Sequence, residues 1–143
     1  MRALLTLSLA FVALSACAEQ RPRSVESAVV RLAAVPGNPS AAYFTLHAGP
    51  VDDRLMSVSS PLALRAEMHD MKMTGAMMSM TPLDAGLEVK AGTTLKFESG
   101  GKHVMLFDVS PKAQAGRKLP LTLTFASGAT LETQADIKAA GQE

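Results

Sequence analysis

Leu119-Pro120-Leu121-Thr122-Leu123-Thr124-Phe125 sets a large apolar side chain at every second position, and that period decides the fold. A strand sends successive side chains to opposite faces, so Leu119, Leu121, Leu123 and Phe125 line one side of a sheet. Thr130 to Ile137 reads as a final strand, followed by the polar stretch Lys138 to Glu143. Towards the N-terminus, Leu87 and Val89, then Leu95 and Phe97, read as two strands joined by Lys90-Ala91-Gly92. Leu62, Leu64, Ala66 and Met68 share one face of another strand, with Arg65, Glu67 and His69 on the opposite face. Ala42 to His47 alternates, with Phe44 and Leu46 on one side. Ala28 to Ala34 is apolar and ends in Val35-Pro36-Gly37-Asn38-Pro39, whose two prolines forbid a central strand there. Asp108 to Arg117 is the only stretch read as a short helical turn. Short alternating runs separated by turn signals predict an all-β sandwich or barrel. With no Trp and one Tyr, its core is expected to be aliphatic with five Phe.

The N-terminus carries a different signal. Arg2 precedes an apolar run from Ala3 to Leu14, too short for a comfortable membrane span, and Leu14-Ser15-Ala16-Cys17 follows. This reads as a lipoprotein signal peptide over residues 1–16, with Cys17 becoming the lipid-modified first residue. Cleavage after Ala18, using Ala16 and Ala18 as the small-residue pair, is the competing reading and would discard the cysteine. Ala18 and Glu19 follow Cys17 with no Asp directly after it, which favours the outer membrane over the inner. A periplasmic, lipid-anchored location is therefore expected. Residues 17–26 are polar, carry Pro22 and read as a tether, and residues 27–143 read as one β-sandwich domain.

Removing residues 1–16 takes away one charge, Arg2, and leaves 13 basic residues against 13 acidic ones. A chain so balanced has no concentrated positive field with which to hold nucleic acid or an anionic membrane surface. Acyl chains alone would attach it to a membrane. With Cys17 lipidated or lost, no thiol remains, no disulfide forms, and stability must come from the core.

Six of the nine methionines fall between Met68 and Met80, the same stretch holds His69, and His103-Val104-Met105 follows. Thioether sulfur is soft and uncharged and suits Cu(I) far better than Zn(II), Mg(II) or Ca(II), while imidazole raises affinity for most first-row metals. His103 and Met105 are two apart on a strand and leave the same face, as do Met78 and Met80. His69 is expected at a strand end, where Asp70 to Gly75 turns the chain and brings Met80 back towards it. The Gly100-Gly101 turn would deliver His103 at a strand start. His69, Met80, His103 and Met105 are thus the candidate metal ligands, meeting at one rim of the sandwich. Met56 and Met68 read as packing residues, Met71 and Met77 as core or loop, and His47 as a surface or hydrogen-bonded histidine.

His69-Asp70-x-x-Met73, Met78-x-Met80 and Gly100-Gly101-x-His103-Val104-Met105-Leu106, together with Ala41-Ala42-Tyr43-Phe44 and Asp53-Arg54-Leu55, resemble the periplasmic copper chaperones called PCuAC. Ten residues separate His69 from Met80, as in that family's signature. The resemblance implies a cupredoxin-like β-sandwich of Greek-key type that binds one Cu(I) through His69, Met80, His103 and Met105. It also implies delivery of copper in the cell envelope, often to the dinuclear copper centre of cytochrome oxidase. Electron-transfer cupredoxins use a cysteine thiolate, which this domain lacks, so a copper carrier and not an enzyme is expected, acting as a monomer. Two other classes compete: a metal hydrolase, for which Glu67 and Asp70 beside His69 lack a third imidazole, and an interaction lipoprotein with a Met-rich binding face.

Overall fold

The computed structural model describes residues 21–142, so the expected signal peptide, Cys17 and its lipidation lie outside the described residues. Ten strands follow in chain order: β1 (Ser24–Arg31), β2 (Ser40–His47), β3 (Asp53–Ser59), β4 (Ala63–Thr74), β5 (Met77–Pro82), β6 (Leu87–Val89), β7 (Thr94–Phe97), β8 (Lys102–Val109), β9 (Lys118–Phe125) and β10 (Thr130–Lys138). Hydrogen bonds link them in the order β5-β4-β8-β2-β1-β10-β9-β3-β6, with β7 beside β2. Every pairing is antiparallel except β1 with β10, which run parallel.

The sheet folds on itself and brings β3 against β4. Inward-facing side chains of β1, β2, β4 and β8 then meet those of β3, β9 and β10 in one core. Leu119, Leu121 and Leu123 are fully buried and Phe125 nearly so. Phe44 and Phe97, opposed across β2 and β7, stack with ring centroids 4.3 Å apart. Each such side chain contributes on the order of 1.5–3 kcal/mol by leaving water.

Four local expectations are corrected. The fold begins inside the segment read as a tether, because β1 starts at Ser24 and pairs with His47. Arg23 anchors that start: its guanidinium donates to Asp53 at 2.8 Å and lies 3.6 Å from the centroid of the Phe125 ring. The two strands joined by Lys90-Ala91-Gly92 form as expected, and they pair apart, β6 with β3 and β7 with β2. Asp108 to Arg117 forms no helix. Its backbone is drawn into two turns and into β10, with Gly116 N–H donating to Ile137 O and Ile137 N–H to Arg117 O, both at 2.9 Å. On β4, Met68 is buried as expected, but Leu64 lies beyond the core and is 81% exposed. Met56 is also exposed rather than packed, at a register shift in β3 that lets the chain slip between Leu55 and Ser57.

Candidate metal centre

Three neighbouring strands build the site. β8 pairs with β4 so that His103 faces His69, Met105 faces Glu67 and Val104 faces Met68. Directly opposed residues share a face, and alternation puts their chain neighbours on the other. Met68 and Val104 therefore enter the core, while Glu67, His69, His103 and Met105 stand together on the outward face. β5 adds to that face, because Met80 opposes Met71 and Met78 opposes Met73. Met77 opposes Thr74 and belongs to the other face, highly exposed.

The two histidine rings lie edge to face, 5.9 Å between centroids at 64°, and both residues are buried although they stand on the outer face. His103 Nδ1 donates to the carbonyl of Gly101 at 2.9 Å. A carbonyl only accepts, so this bond fixes the tautomer and leaves the Nε2 lone pair available to a metal. Gly100, at φ +80°, makes the tight turn from β7 that places His103 second in β8, as its sequence position implied.

His69 is held differently. Its Nε2 lies 3.5 Å from Glu67 Oε2, and Glu67 in turn receives Arg65 Nε at 3.1 Å. Its Nδ1 is buried with no hydrogen-bond partner. A buried, unsatisfied ring nitrogen costs free energy, and metal ligation is one of the few roles that satisfies it. Asp70, expected beside His69 at a turn, points to the opposite face and lies between Lys72 and Lys102, at 3.4 and 3.8 Å.

The hairpin turn is displaced from its expected place. β4 continues for five residues beyond His69, through Thr74, and the chain turns at Gly75-Ala76 with Gly75 at φ +66°. Pro82, not Met80, stands directly opposite His69. Met80 is a diagonal neighbour, at a separation of roughly 7–8 Å between backbones that a long side chain spans. Met71 is in line with His69 on β4, faces Met80, and its N–H donates to Gly101 O at 3.2 Å, two residues before His103. Met71 carried no expected metal role; the pairing register sets it as close to both histidines along the strands as Met105. Its spacing of two from His69 was the available signal. Glu67 was likewise read only as a flanking acid, whereas it bridges Arg65 and His69.

Among the described residues, no three His, Cys, Asp or Glu side chains come together as a metal-holding group. Beside the two histidines, this face offers a soft metal the thioethers of Met71, Met80 and Met105. His47 lies apart from this face, hydrogen-bonded through Nδ1 to Thr94 Oγ1 at 3.1 Å and with Nε2 3.1 Å from a Glu26 carboxylate oxygen.

Residues 24–137 match the LpqE-like lipoprotein family. The chain belongs to that family. One relative, "Putative lipoprotein Lxx21020" of Leifsonia xyli subsp. xyli (strain CTCB07), is 27% identical over 84 residues, or 59% of this chain. The aligned stretch is about half, 51%, of that relative's length. Among solved structures, the LpqE-like chain is similar to the Cu(I) form of DR1885 from Deinococcus radiodurans, with 28% identity, a TM-score of 0.64 and coverage of 88% of this chain and 85% of that one. It is similar to the apo form of the same protein at 26% identity and a TM-score of 0.61, covering 99% and 95% of the two chains. The copper-bound PCuAC domain from PmoF2 shares the fold at 19% identity, with a TM-score of 0.66 over 84% of this chain and 95% of that domain. The LpqE-like chain thus has the cupredoxin-like all-β fold of PCuAC domains.

Proposed function

We propose that this protein is a copper chaperone of the cell envelope that holds one Cu(I) between His69, His103, Met105 and Met80 and passes it to an acceptor without catalysing a reaction. One observation carries the reading: two histidines oppose each other on an outward face that also bears thioethers, and one buried imidazole nitrogen there has no partner. Two imidazoles and two thioethers are neutral, soft to borderline donors, a set that favours Cu(I) over harder divalent ions. The similarity to the Cu(I) form of DR1885 and to the copper-bound PmoF2 domain supports the same cargo.

The chemistry of transfer follows from position. β5 ends the hydrogen-bonded path and every residue in it is exposed, so one side of the ligand set is open to another protein. An acceptor replaces the ligands one at a time, and the ion is never released bare into water. Glu67 holds the His69 ring and places a carboxylate charge beside the cation. Methionine ligands avoid the disulfides that would disable a thiol site in an oxidising compartment. The acceptor implied by the PCuAC resemblance is the dinuclear copper centre of cytochrome oxidase. Lipid on Cys17 would hold the protein, as a monomer, at the periplasmic side of the outer membrane.

Anaerobic competition against a Cu(I) chelator tests the reading. Wild type is expected to bind one equivalent, and His69→Ala and His103→Ala are expected to lose at least about tenfold in affinity. Equal affinities in all three proteins would overturn it. The exposed Met73, Met77 and Met78 favour a second reading, a Met-rich docking face, under which copper would not bind to wild type at all.

A further inference from the structure

The proposed ligand set leaves most of the β4–β5 hairpin unexplained. Its register makes two rungs of opposed thioethers, Met71 with Met80 and Met73 with Met78, on the face that carries His69 and His103. The other face of the same hairpin carries Lys72, Thr74, Ser79 and Thr81, with Met77 beside the turn. Burial falls along the rungs away from the histidines: His69 is 7% exposed, Met71 intermediate, Met80 49%, and the outer rung of Met73 and Met78 65% and 60%. The outer rung gains little from burial, and β-branched residues would suit an exposed strand better than methionine. Packing therefore gives no reason for two facing methionines there. Soft-metal ligation does.

Resting on the Cu(I) carrier reading, we propose that Met73 and Met78 form a second, weaker Cu(I) position at the hairpin tip, and that Met71 and Met80 link it to the histidine site. Opposed Cβ atoms stand about 4.5–5.5 Å apart, a separation that two flexible thioether arms close around one ion. Successive rungs are two residues apart, roughly 6.6–6.8 Å along the strand. Each move exchanges one neutral sulfur or nitrogen for another, so the ion keeps its charge and oxidation state and no proton is displaced. Two exposed thioethers bind more weakly than the four-ligand site, so the outer position fills transiently and serves exchange with an acceptor.

Two measurements on the full domain test this. In the first, the methionine methyl and histidine ring resonances are followed by NMR during anaerobic titration with Cu(I), and separately with Ag(I). The first equivalent is expected to move His69, His103 and Met105, and excess metal is expected to move Met73 and Met78. Unmoved Met73 and Met78 at excess metal would overturn the outer position while leaving the histidine site standing. Movement of Met73 and Met78 without His103 or Met105 would uphold the outer position and overturn the histidine site. In the second measurement, Met73→Leu/Met78→Leu is expected to keep its Cu(I) affinity within about twofold. Its rate of Cu(I) transfer to a protein-sized acceptor should fall about tenfold. Transfer as fast as wild type would overturn the proposal.

Discussion

β9 and β5 are both short strands rich in apolar side chains without β-branching, yet the first buries every second residue and the second is exposed at every position. The difference lies in what flanks them. β9 sits between β10 and β3, and its leucines alternate with Thr and Pro, so one face closes the core. β5 has a neighbour on one side only, and its methionines face outward beyond the edge of the core. Leucine serves where burial is complete. Methionine stands where the side chain stays exposed.

The contrast breaks most visibly in stability. Leu121→Ala is expected to cost roughly 2–5 kcal/mol, the range for emptying a buried leucine site. Met78→Ala is expected to cost under about 0.5 kcal/mol. Denaturant unfolding of both variants measures the gap, and comparable losses would mean that β5 is packed against something the register does not place there.

Acid sharpens the same contrast. Asp53, at the β3 end of the core, accepts from the Ser127 hydroxyl at 2.6 Å, the Arg54 N–H and the Arg23 guanidinium at 2.8 Å, and the Ser127 N–H at 3.2 Å. These donors, with Ser127 foremost, hold its carboxyl far below the ordinary carboxylate range despite its burial. A depressed native pKa adds stability that is complete above the unfolded value of about 4 and fades as pH falls from there through the native value. Asp53→Asn should therefore lose roughly 1–3 kcal/mol at pH 7, the scale of charged hydrogen bonds. The deficit should shrink steadily below about pH 4. Melting curves across that range check the sign, and a deficit that does not change with pH would assign the loss to shape and not to charge.

On the metal side, Met105→Leu and Met80→Leu preserve volume, and neither is expected to cost more than ~1.5 kcal/mol of stability. Each is expected to weaken Cu(I) binding by at least about tenfold, or ~1.4 kcal/mol. Sulfur scattering in the X-ray absorption of the Cu(I) form should fall in both. Met56→Leu, on β3 and away from the face, should change neither. If Met71→Leu costs more affinity than Met80→Leu, the pairing register and not the family spacing chooses the third ligand. The smallest effect concerns the apo fold: metal-free protein should melt cooperatively, with Cu(I) raising the melting temperature by mass action. An unfolded apo chain would show that the metal face is no rim but part of the core.

The sequence made β9 and β2 legible because full burial of one face imposes strict alternation, and Leu119 to Phe125 and Phe44 to Leu46 keep it. Leu64 kept the alternation too, but its strand runs past the end of the core, and period alone does not say where a core stops. Asp70, Lys72 and Thr74 resembled a turn because they are polar. They are alternate positions of a strand whose other face carries His69, Met71 and Met73. The facing of His69 and His103, 34 positions apart, depends on the register of β4 against β8, which no local pattern encodes. The residue types of the candidate site were therefore readable from the sequence, while its arrangement was not.

The parallel pairing of β1 with β10 sets the order in which this molecule is finished. Val29 pairs with Asp136 and Val30 with Ile137, so the first described strand waits for the last before both of its edges are bonded. Contacts of such sequence separation are slow to form and come late. A chain emerging N-terminus first carries Val30, fully buried at the end, without its second neighbour until residues 130–138 follow. The β4–β5 hairpin, closed by a two-residue turn, needs no such wait. The soft-metal face can thus be assembled on a chain whose central seam is still open, so the two should be separable in refolding: hairpin amides protected early, the amides of β1 and β10 together and last.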